Sequence, residues 1–131
     1  MSVRSPAKVY FIADESKAFV KIGVSTKPES RLFDLQAGSP LILNLILVLE
    51  FEGPGAAELE DALHQHFAAH WIHREWFAYA KPIRSYVEEW LDGGSPSVPK
   101  PPHSSAQAIG EYGERLTKIE FLSKLKSRAP Q

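Results

Sequence analysis

The 131-residue chain contains no cysteine, which excludes a disulfide framework, thiol catalysis and every zinc site built on sulfur ligands. A reducing, cytoplasmic setting is the compartment expected of it. No apolar run is long enough to cross a membrane. The longest, residues 41–51, is broken by Asn44 and Glu50 and is about half of the roughly 20 residues a spanning helix needs. Residues 1–8 lack the apolar core of a secretory signal. A large charge of either sign is also missing. The net charge is -1, so no basic stripe identifies a nucleic-acid ligand by charge alone. That small total conceals an asymmetry, with nine Lys or Arg against thirteen Asp or Glu up to residue 92 and six against three after it. What is present is ordinary: 44% hydrophobic and 24% charged residues describe a globular chain rather than a fibrous or disordered one.

Periodicity divides the chain. A first domain over residues 1–92 gives way to a Gly, Ser and Pro-rich linker at 93–106, and a basic amphipathic helix is expected over 107–131. Its stripe is Ile109, Tyr112, Leu116, Ile119, Leu122 and Leu125, at the three- and four-residue steps of one helix face. A lone helix has no core, so it must dock on its own domain, pair with another chain or bind a partner. In the first domain, residues 8–13 and 19–25 read as a hairpin joined by the polar segment 14–17. Thr26-Lys27-Pro28-Glu29 has the form of a capping box before a short helix that stops at Gly38. A third strand over 43–51, a helix over 56–69, an extended piece over 75–80 and a helix over 82–91 complete the reading. The expected class is α+β, with a small three-stranded antiparallel sheet flanked by helices.

Two places carry chemistry. If the hairpin loop is centred between Glu15 and Ser16, Tyr10 lies opposite Lys21, and both share one face with Gly23 and Ser25. Val9, Phe11, Val20, Ile22 and Val24 then form the core face. The Tyr10 face is either solvated or a site. On the helix from Ala56, the residues Ala56, Leu59, Leu63, Phe67 and Trp71 make an apolar arc, and Glu60 falls inside it. A carboxylate on a buried face is costly unless a cation, a metal or donors compensate it. An ion pair with Lys21 or Arg31 and a catalytic or metal-binding role both answer that need. His64, one turn after Glu60, shares its face, whereas His66, His70 and His73 have poor spacing for a metal.

Val9-Tyr10-Phe11-Ile12, Lys21-Ile22-Gly23, Arg31 and Glu60 within Leu59-Glu60-Asp61-Ala62-Leu63-His64, in that order and spacing, resemble the GIY-YIG endonuclease superfamily. With Glu75-Trp76-Phe77, they are similar to its phage and bacterial branch in which Lys replaces the second motif's Tyr. The resemblance spans about residues 7–91. It implies a nuclease that cuts DNA with one divalent cation, Mg²⁺ or Mn²⁺, held by Glu60. It also implies that Arg31 stabilises the phosphorane-like charge and that Tyr10 positions or deprotonates the attacking water. Lys8 stands where the first motif has Gly. Lys21, in place of the Tyr, would act as a base with lowered pKa or hold phosphate, and His64 is the other candidate base. Ser25 and Lys27 would touch phosphate near a helix N-terminus, and Trp76 would stack on a base. Glu75 receives no role. A phage or mobile-element endonuclease is the expected function, and an inactive nucleic-acid- or protein-binding module is the alternative. A homodimer through the C-terminal helix is expected to bring two sites to one duplex.

Overall fold

The polar stretch after Asp14 turns the chain back on itself. In the computed structural model, which describes residues 7–51, 55–93 and 107–108, β1 (Lys8–Asp14) and β2 (Phe19–Ser25) form an antiparallel hairpin. The Asp14 carboxylate accepts the Ser16 N–H at 3.1 Å and the Phe19 N–H at 2.7 Å. Lys17 takes a left-handed conformation at φ 60°. One buried carboxylate therefore closes the loop by replacing water at its donors.

The chain continues through α1 (Pro28–Ala37), β3 (Leu43–Glu50), α2 (Ala56–His66), a 3₁₀ turn (Ala68–His70), β4 (Trp71–His73), β5 (Trp76–Ala78), α3 (Lys81–Leu91) and β6 (Gln107–Ala108). Every pairing is antiparallel, in the order β4-β5-β2-β1-β3-β6. The expected three-stranded sheet is therefore wrong. Three strands form the centre, β4 and β5 extend one side, and β6 adds to the other. Strands of two and three residues are too short to show an alternation, and β4 is exposed throughout, so no hydrophobic pattern announced them. Gln107, expected at the start of a helix, pairs with Glu50 in β6. The stripe from Ile109 to Leu125, and the dimer contact expected of it, lie outside the described residues. Among the described residues, no helix is long and apolar enough to cross a membrane.

Both faces of the sheet are covered. Val9, Phe11, Val20, Ile22, Leu47 and Leu49 pack under α2 and α3, against Leu59, Leu63, Ile83, Tyr86, Val87 and Trp90. On the other face, Tyr10, Ile12, Leu45 and Val48 pack with Leu32 of α1. A register shift between Phe11 and Ile12 along β3 lets Leu45 and Val48, three residues apart, share that face. The Tyr10 face is thus a second core rather than an open surface, and access to the site lies at an edge of the sheet.

Candidate functional site

The hairpin register places Tyr10 opposite Gly23 and Ile12 opposite Lys21. The expected Tyr10–Lys21 pairing is wrong by two residues, because the loop turns one position later. A two-residue shift leaves every side chain on its expected face. Tyr10 lies over Gly23 so closely that a Cβ there would sit 2.4 Å from the phenol oxygen. The glycine is required by that approach of the ring. Gly23→Ala is therefore expected to lower stability by about 1–3 kcal/mol through overpacking. Denaturant unfolding of the single and double variants checks this, since the cost should shrink in a Tyr10→Ala background.

Strand β5 pairs with β2 only as far as Lys21, which leaves the outer edge of β2 open beyond it. Two contacts occupy that edge. The Ile22 N–H donates to the Glu75 carbonyl at 3.1 Å, and the Ile22 carbonyl lies 2.8 Å from His64 Nε2. A carbonyl only accepts, so Nε2 carries a proton, and in the neutral ring Nδ1 is the nitrogen with the lone pair. The ring of Phe77 meets the His64 ring edge-on with centroids 5.0 Å apart, which fixes its plane from the other side. Glu60, one helical turn before His64, shares its face of α2. Glu60, His64 and Glu75 each offer a ligand atom, and these atoms lie within 4.8 Å of one another. Lys21 Nζ donates to Glu75 Oε1 at 2.6 Å and lies 6.0 Å from the Trp76 ring centroid. The residue is only 6% exposed.

The electrostatics tie these groups to the other face. Burial first, and then the Glu75 carboxylate, hold Glu60 above the usual carboxylate range, with His64 and Lys21 acting against them. Burial pushes the Tyr10 phenol up to about 12, against the hydrogen bond and charge of Arg31, while the Glu75 and Glu60 charges raise it further. At that value Tyr10 keeps its proton near neutrality.

Because Glu60 is raised, the folded chain binds its proton more tightly than the unfolded chain does. Stability from this group is present below the ordinary carboxylate range and is lost as pH rises through the folded value. Glu60→Gln is thus expected to raise the melting temperature of metal-free protein at pH 7 by about 2–4 °C. The gain should fade below about pH 4. Thermal unfolding in chelator at the two pH values checks it.

Tyr10, Lys21, Gly23, Arg31, Glu60 and His64 are brought to one region. Ser25 and Lys27 lie at its margin, where the Lys27 N–H donates to Ser25 Oγ at 3.0 Å. Lys27, not Thr26, occupies the N-cap of α1 and makes no side-chain cap, so the capping-box reading is corrected. Trp76 is half-buried, beside Lys21 and against the α1-side core. Helix α2 stops at His66, so Trp71 leaves the apolar arc for β4 and is 55% exposed. The histidines at 66, 70 and 73 join no group of three metal-ligating residues among those described. Glu75 is the residue that sequence reasoning left without a role. It sits in the turn just before β5, where its carbonyl accepts from the Ile22 N–H and its carboxylate from Lys21.

The family profile described as the T5orf172 domain matches residues 7–93. No curated protein and no solved structure matches the chain.

Proposed function

The chain belongs to the T5orf172 domain family, a family associated with nuclease-like and phage proteins, and we propose that it is a metal-dependent endonuclease hydrolysing phosphodiester bonds in DNA. Its motifs resemble those of the GIY-YIG enzymes, and a phage or mobile-element origin suits that activity. The observation that carries the reading is the meeting, at one open sheet edge, of a cation-ready carboxylate, Glu60, with Tyr10, Arg31 and Lys21.

The donors present fit Mg²⁺ or Mn²⁺. Such ions accept carboxylate oxygens, keep several waters and need few protein ligands, and Glu60 is the residue that would hold one. A bound divalent cation supplies Lewis-acid stabilisation of charge developing on the scissile phosphate. Arg31, exposed on α1 yet in contact with the Tyr10 hydroxyl, brings a guanidinium to the same charge. Tyr10 donates its retained proton to orient the attacking water or a phosphate oxygen. Lys21, paired with Glu75, lies where it can contact phosphate. His64 presents its Nδ1 lone pair, and the basic residues after position 92 add salt-dependent affinity for the backbone.

One observation favours a non-catalytic binding module. The side chain in the second motif's Tyr position is an ion-paired ammonium, and the remaining phenol holds its proton. Labelled single- and double-stranded oligonucleotides with Mg²⁺ or Mn²⁺ separate the two readings. The nuclease cleaves, and Glu60→Gln binds without cleaving. Binding without cleavage by the wild-type chain would favour the module.

A further inference from the structure

We propose that Glu60, Glu75 and Nδ1 of His64 form one three-ligand cation site that prefers Mn²⁺ to Mg²⁺, and that filling it draws Glu75 away from Lys21. The inference rests on the reading that Glu60 holds a metal. It adds two ligands, a preference between ions and a consequence for Lys21.

One ring nitrogen of His64 and one carboxylate oxygen from each of Glu60 and Glu75 already lie within 4.8 Å of one another. Ligands at the roughly 2.1–2.2 Å bond lengths of such ions stand about 3 Å apart when adjacent on the metal and about 4.4 Å when opposite, so closure needs side-chain adjustments of no more than about 2 Å. His64 is set for the role from outside the cluster. Its Nε2–H is held by the Ile22 carbonyl at 2.8 Å and its ring by Phe77, which is the outer-shell arrangement that metal-binding histidines use. The i, i+4 placement of Glu60 and His64 on α2 needs no loop to move. Two carboxylates meet here, and Lys21 donates to one of them, Glu75.

The donor set decides the ion. Mg²⁺ takes oxygen ligands and sheds water reluctantly, whereas imidazole suits softer divalent ions. A carboxylate pair with one imidazole therefore favours Mn²⁺. Coordination also competes with the ion pair, because the carboxylate charge that the cation would draw on is the one that Lys21 holds, at 2.6 Å from Oε1. Once Glu75 turns to the cation, the Lys21 ammonium is free beside Gly23, on the hairpin that carries Tyr10. A filled site thus delivers an unpaired cation to an incoming phosphate, so cation binding and DNA binding favour each other.

Isothermal titration of the full chain with Mn²⁺ and with Mg²⁺, in the absence of DNA, tests this. One Mn²⁺ per chain is expected, bound about tenfold or more tighter than Mg²⁺. Glu75→Gln should weaken Mn²⁺ by about tenfold or more, and His64→Gln should narrow the preference over Mg²⁺. Lys21→Met should tighten Mn²⁺ by about tenfold, and the gain should largely disappear in a Glu75→Gln background. Equal affinity for the two ions in the wild-type chain, which requires no variant to fold, would overturn the proposal. So would a Lys21→Met gain that survives intact without Glu75. If only Glu60→Gln lost Mn²⁺, the single-carboxylate nuclease would stand and this site would fall. If Mn²⁺ bound as expected but DNA remained uncut under all conditions, the site would stand and the nuclease would fall.

Discussion

Glu60→Gln should reduce DNA cleavage by about 10³-fold or more while the chain remains folded. The amide is nearly isosteric with the carboxylate but cannot offer an anionic oxygen to a cation. Losing the Lewis acid forfeits several kcal/mol of charge stabilisation, and each 1.36 kcal/mol is a factor of ten in rate. The fold should survive because Leu59 and Leu63, not Glu60, make the buried contacts of α2. Single-turnover cleavage of a labelled duplex, with circular dichroism of the same sample, measures both parts. A variant that cleaves at the wild-type rate in matched cation would remove Glu60 from the site.

Arg31→Ala is the second large effect, a loss of about 10²–10³-fold in turnover as expected for deleting a transition-state cation. Arg31 is exposed on α1 but hydrogen-bonds the buried Tyr10 hydroxyl, so truncating it should cost about 1–3 kcal/mol, and circular dichroism of the variant shows that the chain stays folded when the loss is read as chemistry. Arg31→Lys should recover part of the rate, since it restores charge but not the planar fork. Tyr10→Phe should cost about 10²-fold by removing the positioning hydroxyl, with little change in packing beside Gly23. Retention of turnover by both Arg31→Ala and Tyr10→Phe would favour the binding module.

Much of the site was legible because it rests on periodicities. Alternation along β1 and β2 places Tyr10, Lys21 and Gly23 on one face whichever of two registers forms, so the error in the Tyr10 partner did no damage. The 100° step of a helix isolates Glu60 from Glu58 and Asp61 and sets His64 above it. What escaped was non-local. The Tyr10 face becomes a core only because α1 folds over it, and Leu32, Phe33 and Leu35 of that helix do not by themselves say which face of the sheet they meet. Strands β4 and β5 are held by backbone pairing in segments too short to alternate. Glu75 reaches the site through pairings with β2, its carbonyl accepting from the Ile22 N–H and its carboxylate from Lys21. No spacing in the sequence encodes that distance of more than fifty residues.

The central claim is phosphodiester hydrolysis at the open edge of β2. Incubating purified full-length chain with supercoiled plasmid and Mn²⁺, beside Glu60→Gln and a chelator control, tests it most directly. The account predicts nicked or linear product from the wild-type chain alone, abolished by chelator and by the variant. Plasmid left supercoiled by a folded, Mn²⁺-loaded wild-type chain, or cut equally by Glu60→Gln, would contradict it.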